Sequence, residues 1–253
     1  MNTALLVGIN KYYTPGNDLR GCVNDVLNLR ETLTQYCGFS VLGIKTLFDS
    51  QATKLAIIVA LNIMVKNAVK GDHLVYQHSS HGSQVQDLDG DEPDSLDEIL
   101  CTYDFDWNGT YITDDELRAI FSNLKSGVTL DVILDSCHSG TAIRSFKYGT
   151  KFIEPIYDLK NSNHTIKRLL KGNLPVKVTL WAGCKSDQTS ADANINGTFN
   201  GAMTYYLCDE IKKSKGELTR SKLYSNLKKA IKKYSQVPQL ESSLVQRYKR
   251  VFR

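Results

Sequence analysis

The 253-residue sequence predicts an α/β fold: a three-layer α/β/α sandwich with helices on both faces of a mainly parallel central sheet. Three observations carry this. Short apolar, β-branched runs recur at 3–9, 40–47, 73–77, 128–134 and 176–182, each the length of a buried strand. Segments of helical period separate most of them, an alternation that argues for βαβ units, whose right-handed crossovers cover both sheet faces. Several runs stop abruptly in small polar residues, where open α/β sheets place their ligands.

The elements follow in order. Residues 3–9 form the first strand. After a polar loop at 10–17, Leu19, Cys22, Val23, Val26, Leu29 and Leu33 keep a helical period that ends near Cys37-Gly38. Residues 40–47 form a second strand. Thr53 caps a helix running to about Val69, with Leu55, Ile58, Val59, Ile63 and Val65 as its apolar face. Gly71-Asp72 turns into the strand at 73–77. An acidic loop with Asp87, Asp89, Asp91, Glu92, Asp94, Asp97 and Glu98 precedes a short strand at 99–103. Thr113 and Glu116 have the spacing of a capping box, opening a helix to Leu124. Residues 141–173 have poor periodicity and read as a long, mobile surface loop. Beyond the strand at 176–182, helices are expected at 201–213 and 219–234, a turn at 236–240 and a last strand at 249–252.

Composition narrows the function. Hydrophobic residues make up 42%, enough for a sizeable core in one large domain. The net charge of +4 is mild, and its surplus lies along C-terminal helical segments without interleaved aromatics, so a nucleic-acid surface is not expected. The six cysteines lack CxxC spacing, which excludes zinc-ribbon and thioredoxin readings. The first apolar run is too short for a signal segment or a membrane span. A cytoplasmic, reducing setting with free thiols is expected.

The chemistry sits at two strand ends. One reads His78-Ser79-Ser80-His81-Gly82-Ser83, the other Asp135-Ser136-Cys137-His138-Ser139-Gly140. On neighbouring strands, His81 and Cys137 face each other across a gap, the arrangement for nucleophilic catalysis by a thiolate with an imidazole acid/base. The Gly82 and Cys137 amides are candidate oxyanion donors, since Gly82 has no Cβ to hinder approach. His138 adjoins the nucleophile and points elsewhere, His78 lies on the strand, and His73 and His164 have no partners in sequence.

These two motifs resemble those of metacaspases, the caspase-like (clan CD, family C14) cysteine peptidases. Leu19-Arg20-Gly21-Cys22-Val23-Asn24-Asp25-Val26, the acidic run 89–98, Asp187-Gln188-Thr189-Ser190-Ala191-Asp192, Gly201-Ala202-Met203-Thr204 and Pro238-Gln239-Leu240 are similar to further family segments in the same order. The resemblance implies a single caspase-like peptidase domain over 1–253: a p20-like part (1–140), the loop (141–173) and a p10-like part (174–253). It implies His81 and Cys137 as a catalytic dyad. It also implies a specificity pocket of Asp25 and Asp135 lined by Cys22 and Ser79. Two carboxylates suit a guanidinium or ammonium, so cleavage after Arg or Lys is expected, not after Asp.

The resemblance further implies a calcium site, with Asp97, Asp114 and Asp115 at matching positions. A family ligand expected just beyond the nucleophile is missing, because 142–147 contains no acid, and calcium dependence stays open. The acidic loop is not an EF-hand, since Glu92 stands where the turn needs Gly. Ser80 replaces the family's usual Gly. No Pro-rich extension precedes the first strand, so regulation by one is not expected. Autocleavage is expected in the loop, with Lys160, Lys167, Arg168 and Lys171 as candidates. The expected partners are protein or peptide substrates with Arg or Lys at the cut, acted on by a monomer, with no membrane or nucleic acid involved. A catalytically silent binding or regulatory module is the alternative, and the presence of both Cys137 and His81 speaks against it. A non-proteolytic hydrolase with the same dyad is a third reading, which peptide turnover separates.

Overall fold

In the computed structural model, which describes residues 1–87, 96–137, 149–155, 177–183 and 190–253, strands and helices alternate along the chain. The order is β1 (Thr3–Gly8), α1 (Cys22–Tyr36), β2 (Ile44–Phe48), α2 (Lys54–Asn67), β3 (His73–Ser79), β4 (Gly82–Gln86), β5 (Leu96–Cys101), β6 (Tyr111–Thr113), α3 (Asp114–Phe121) and β7 (Thr129–Asp135). Then come β8 (Gly149–Thr150), β9 (Val178–Ala182), β10 (Ala191–Ile195), β11 (Thr198–Gly201), α4 (Ala202–Lys213), α5 (Arg220–Ala230), β12 (Gln239–Glu241) and α6 (Leu244–Arg247).

The central sheet has the order β12-β9-β7-β3-β1-β2. All its pairs are parallel except β12 on β9. Its inner strands, β9, β7, β3 and β1, are buried on both faces because successive side chains feed different layers. Leu5 and Val7 pack with α2 and α3, while Ala4 and Leu6 pack with α1, α4 and α5. On β7, Leu130, Val132 and Leu134 join the first layer and Ile133 the second. Each such fully buried side chain contributes about 1.5–3 kcal/mol. A carboxylate at Val132 would break the sheet at its centre. Gly8 lets α1 lie against β1, since a Cβ there would overlap the Cys22 carbonyl.

Both capping predictions are realised. Thr53 accepts from the Ala56 amide. Thr113 and Glu116 exchange both bonds of the capping box. Helix α1 has no side-chain cap of its own. Asn10, from the loop after β1, accepts from the Cys22 and Val23 amides instead, which fixes the helix start beside the sheet end.

Three expectations fail. The last strand is not at 249–252, where Arg250 makes only an isolated bridge to Thr219. The strand on that edge of the sheet is β12, which overlaps the stretch expected to turn. Val251 and Phe252 are apolar because they are fully buried against the α4–α5 layer, not because they pair. The inward face of α2 is Ile57, Ala60, Leu61 and Val65, while Leu55, Val59 and Ile63 are exposed. That helix is apolar nearly all round, so periodicity did not say which stripe turns in. Two small antiparallel sheets, β4-β5-β6 and β11-β10-β8, were not expected, although β5 overlaps the short strand expected at 99–103. Most of their strands are short or polar, such as Gly-Ser-Gln-Val-Gln in β4, and lack a buried-strand signature.

Candidate active site

The β3–β7 register brings the two motifs together. Ser79 is paired with Asp135, so His81 and Cys137 each lie two residues beyond the last matched pair of adjacent parallel strands. Both are buried.

His81 is held from three directions. Its amide donates to the Tyr12 hydroxyl at 2.8 Å, its carbonyl accepts from the Cys101 amide at 3.0 Å, and its ring lies 5.3 Å from that of Tyr12. Nε2 lies 2.8 Å from the Asn17 carbonyl. A carbonyl only accepts, so Nε2 carries the hydrogen and Nδ1 is the free lone pair in the neutral ring. Nδ1 is buried and makes no hydrogen bond. Burial is the main cause that lowers the imidazole to about 4; the Asn17 bond opposes this and the Lys151 charge adds to it. At neutral pH the ring is therefore a neutral proton acceptor.

Asp25 and Asp135 share a fully buried pocket. Asp25 Oδ1 accepts from the Gly201 amide at 2.8 Å, and Oδ2 from the Ser79 hydroxyl at 2.6 Å. Asp135 Oδ2 accepts from the amide and hydroxyl of Thr204, at 2.9 and 2.7 Å, and Oδ1 from the Ser190 hydroxyl at 3.1 Å. The Thr204 amide belongs to the first turn of α4, whose N-terminus thus faces a carboxylate. Gly201 closes the pocket because nothing larger fits. A Cβ there would overlap both carboxylates and the cation between them. Cys22 is fully buried and its thiol is pushed up, chiefly by burial.

That cation is Lys151. Its Nζ is fully buried, 3.0 Å from Asp25, 3.2 Å from Asp135 and 2.8 Å from the Ser79 hydroxyl. Burial alone would lower its pKa, but Asp135 and Asp25 hold it well above the ordinary lysine value, so it stays an ammonium. Its main chain is placed with equal definition. The Lys151 carbonyl accepts from both the Gly82 and the Cys137 amide, at 3.0 and 3.1 Å, and its own amide donates to the Ser190 carbonyl at 3.2 Å. Upstream, Thr150 and Gly149 pair antiparallel with Ala191 and Asp192 of β10. Downstream, Phe152 bridges to Gly82 in parallel. The Cys137 thiol lies against the Ser190 backbone, close to its amide and 3.7 Å from its carbonyl. Residues 149–155 are thus seated in the site, not in a surface loop as the poor periodicity of 141–173 suggested.

Residues 2–145 match the family model described as "Metacaspase, peptidase C14 domain". Metacaspase-1A of Aspergillus terreus is 36% identical over 95% of this chain and 70% of its own length. Metacaspase-1 of Meyerozyma guilliermondii is 35% identical, covering 95% and 69%. The chain belongs to the metacaspase family. A solved structure of a Geobacter sulfurreducens protein superposes with a TM-score of 0.75 at 25% identity, covering 99% of this chain and 98% of that one. Caspase-1 of Spodoptera frugiperda superposes with a TM-score of 0.64, covering 95% and 86%; at 14% identity it shows the shared caspase-like fold.

As metacaspases are cysteine-type peptidases, the remaining predicted residues can be placed against that chemistry. His78 lies on β3 with Nδ1 2.8 Å from the Tyr76 hydroxyl, and His73 binds Asp131 at 2.7 Å. His138, His164 and the autocleavage candidates Lys160, Lys167, Arg168 and Lys171 lie outside the described residues. Ser80 donates to the His81 carbonyl at 2.7 Å. The expected calcium ligands are near one another in the fold, because β5 pairs with β6 and carries Asp97 toward the start of α3. Carboxylates are donors that calcium accepts. Yet Arg118 pairs with Asp115 at 2.6 Å and with Asp114 at 3.3 Å. Among the described residues, no three acidic, His or Cys side chains converge as a metal cage. These carboxylates are a chemically suitable oxygen set, and Arg118 neutralises two of them here.

Sequence reasoning missed Lys151, Thr204, Ser190, Tyr12 and Asn17. Ser190 and Thr204 stood inside recognised segments without assigned roles. Asn17 acts through a carbonyl, which any residue offers, and so left no signal.

Proposed function

We propose that this metacaspase is an endopeptidase that cleaves after Lys or Arg through Cys137 and His81, and that the Lys151–Phe152 bond is its own first substrate. The observation that carries this reading is Lys151, whose side chain fills the acidic pocket while its carbonyl faces the Gly82 and Cys137 amides. An amide pair aimed at one carbonyl oxygen is what stabilises the charge of a tetrahedral intermediate.

The steps follow from these atoms. His81 Nδ1 takes the Cys137 thiol proton, and the thiolate attacks the carbonyl carbon of the basic residue. The oxyanion is held by Gly82 and Cys137. The scissile C–N bond breaks as His81 returns its proton to the leaving amine. Water then attacks the thioester, His81 accepts its proton, and Cys137 is released as the thiol with the new carboxylate. An arginine fits the same pocket with two carboxylates for its fork of donors.

Action as a monomer is part of the proposal. A reducing, cytoplasmic setting, which would keep the Cys137 nucleophile a thiol, is part of the proposal. The test is turnover of fluorogenic peptides ending in Arg, Lys or Asp by wild type and Cys137→Ala, with calcium and with chelator. Turnover of the Arg and Lys peptides, abolished in Cys137→Ala, is expected. Loss of turnover in chelator would support the calcium expectation, and equal turnover would count against it. Turnover of the Asp peptide alone would overturn the pocket assignment. No turnover by the wild type would favour the binding-module alternative.

A further inference from the structure

The segment that fills the pocket continues past the bond it presents, and its contacts there belong to no part of the dyad or the acidic pocket. Two residues beyond Lys151, the Ile153 amide donates to the Gly82 carbonyl at 3.1 Å. The Ile153 carbonyl accepts from the Ser83 hydroxyl at 2.6 Å. Ser83 is fully buried and lies on β4, an edge strand whose other side is taken by β5. The Ile153 side chain packs on the core layer that contains Val85 and Ile99. Phe152, between them, is half-buried.

We propose that Gly82 and Ser83 form a binding site for the second residue after the cut, holding its main chain by two hydrogen bonds and its apolar side chain against the core. The proposal rests on the reading of residues 149–153 as a seated substrate. Substrates would then add to two sheet edges at once: antiparallel to β10 before the cut and parallel to β4 after it. Edge addition gives affinity through the main chain, and side-chain pockets give selectivity. The ligand class is therefore a polypeptide that runs at least two residues beyond its Lys or Arg, with an apolar residue in the second place. Ser83 is a positioning residue, because its hydroxyl touches the substrate away from the reacting atoms.

The test compares two substrates of equal unprimed sequence. One is a coumarin amide ending at Lys, with nothing beyond the cut. The other is an internally quenched peptide continuing Lys-Phe-Ile. Ser83→Ala should lower kcat/KM on the extended peptide by ~10-fold, the scale of one hydrogen bond, and leave the coumarin amide unchanged. Equal losses on both substrates, or none on the extended one, would overturn the proposal. If Ser83→Ala does not fold, wild type decides. Shortening the extended peptide to end at Phe should cost a similar factor, and an unchanged rate would count against the site. Failure of wild type to cut the coumarin amide would instead sink the underlying peptidase reading.

Discussion

Two buried ion clusters lie on one face of β7, at Asp131 and Asp135, and they differ in how the cation is supplied. Residues four apart on a strand share a face. Asp131 receives Arg220 Nε at 3.0 Å and Nη2 at 2.5 Å, Trp181 Nε1 at 3.0 Å and His73 Nε2 at 2.7 Å. These partners sit on α5, β9 and β3, elements that cannot leave without unfolding the protein. Asp135 and Asp25 are equally buried, but their cation rides on a segment that crosses the mouth of the sheet. One cluster is cement. The other is a socket whose amide and hydroxyl donors remain when the cation departs.

The protonation tendencies agree with that division. Burial alone would raise Asp131, yet Arg220 and His73 hold it below the usual carboxylate range. Asp25 is pushed up, first by burial and then by the neighbouring Asp135, against the pull of Lys151. A depressed carboxylate stabilises the fold above its unfolded value of about 4. A raised one costs stability as pH rises through that value. The socket is held at some expense to the fold, which a purely structural cluster has no reason to carry.

The largest effect should come from the cement. Asp131→Ala leaves the Arg220 guanidinium buried and unpaired, and should cost about 3–5 kcal/mol in urea or thermal melts. A loss below 1 kcal/mol would mean that Arg220 finds water or another partner. Next comes acid. His81 is lowered to about 4 from an ordinary value near 6.5. The native state therefore holds fewer protons than the unfolded chain in that window, and stability falls as pH drops from 6.5 to 4, by up to about 3 kcal/mol. His81→Gln should flatten this part of the pH–stability curve. An unchanged slope would place the titration elsewhere.

In the socket the signs part. Asp25→Asn should reduce kcat/KM on Lys and Arg peptides by ~100-fold, as loss of one partner in a buried charge pair does. Its melting temperature should hold or rise, since a costly buried carboxylate is removed. A matched fall in stability would erase the distinction between the two clusters. Thr204→Val is the smallest change. It removes a single hydroxyl bond to Asp135 and should cost ~10-fold in the same assay, with stability moved little.

How far this was readable from sequence depends on the kind of signal. Strands such as 128–134 and the capping box at Thr113 were legible because burial and capping impose local patterns. His81, Cys137 and Asp135 were marked by motifs at strand ends, and Asp25 by the family-like segment that opens α1. Cement residues were not. Asp131 reads as one polar break in an apolar strand, and Arg220 lies 89 positions away in a lysine-rich helix. Lys151 was hidden for another reason. Gly149 and Thr150 form a strand only by adding to β10, and Phe152 and Ile153 are held by contacts with Gly82 and Ser83, so no internal periodicity betrays them. Lys160, Lys167, Arg168 and Lys171 were flagged by residue type, and they lie outside the described residues.

The most direct test is to identify the new N-terminus after purified chain is incubated. Intact mass and N-terminal sequencing should show a cut between Lys151 and Phe152 in wild type and in Lys151→Arg, with none at that bond in Lys151→Ala or Cys137→Ala. An intact Lys151–Phe152 bond in chain that turns over Lys and Arg peptides would contradict the account, as would the same cut in Cys137→Ala.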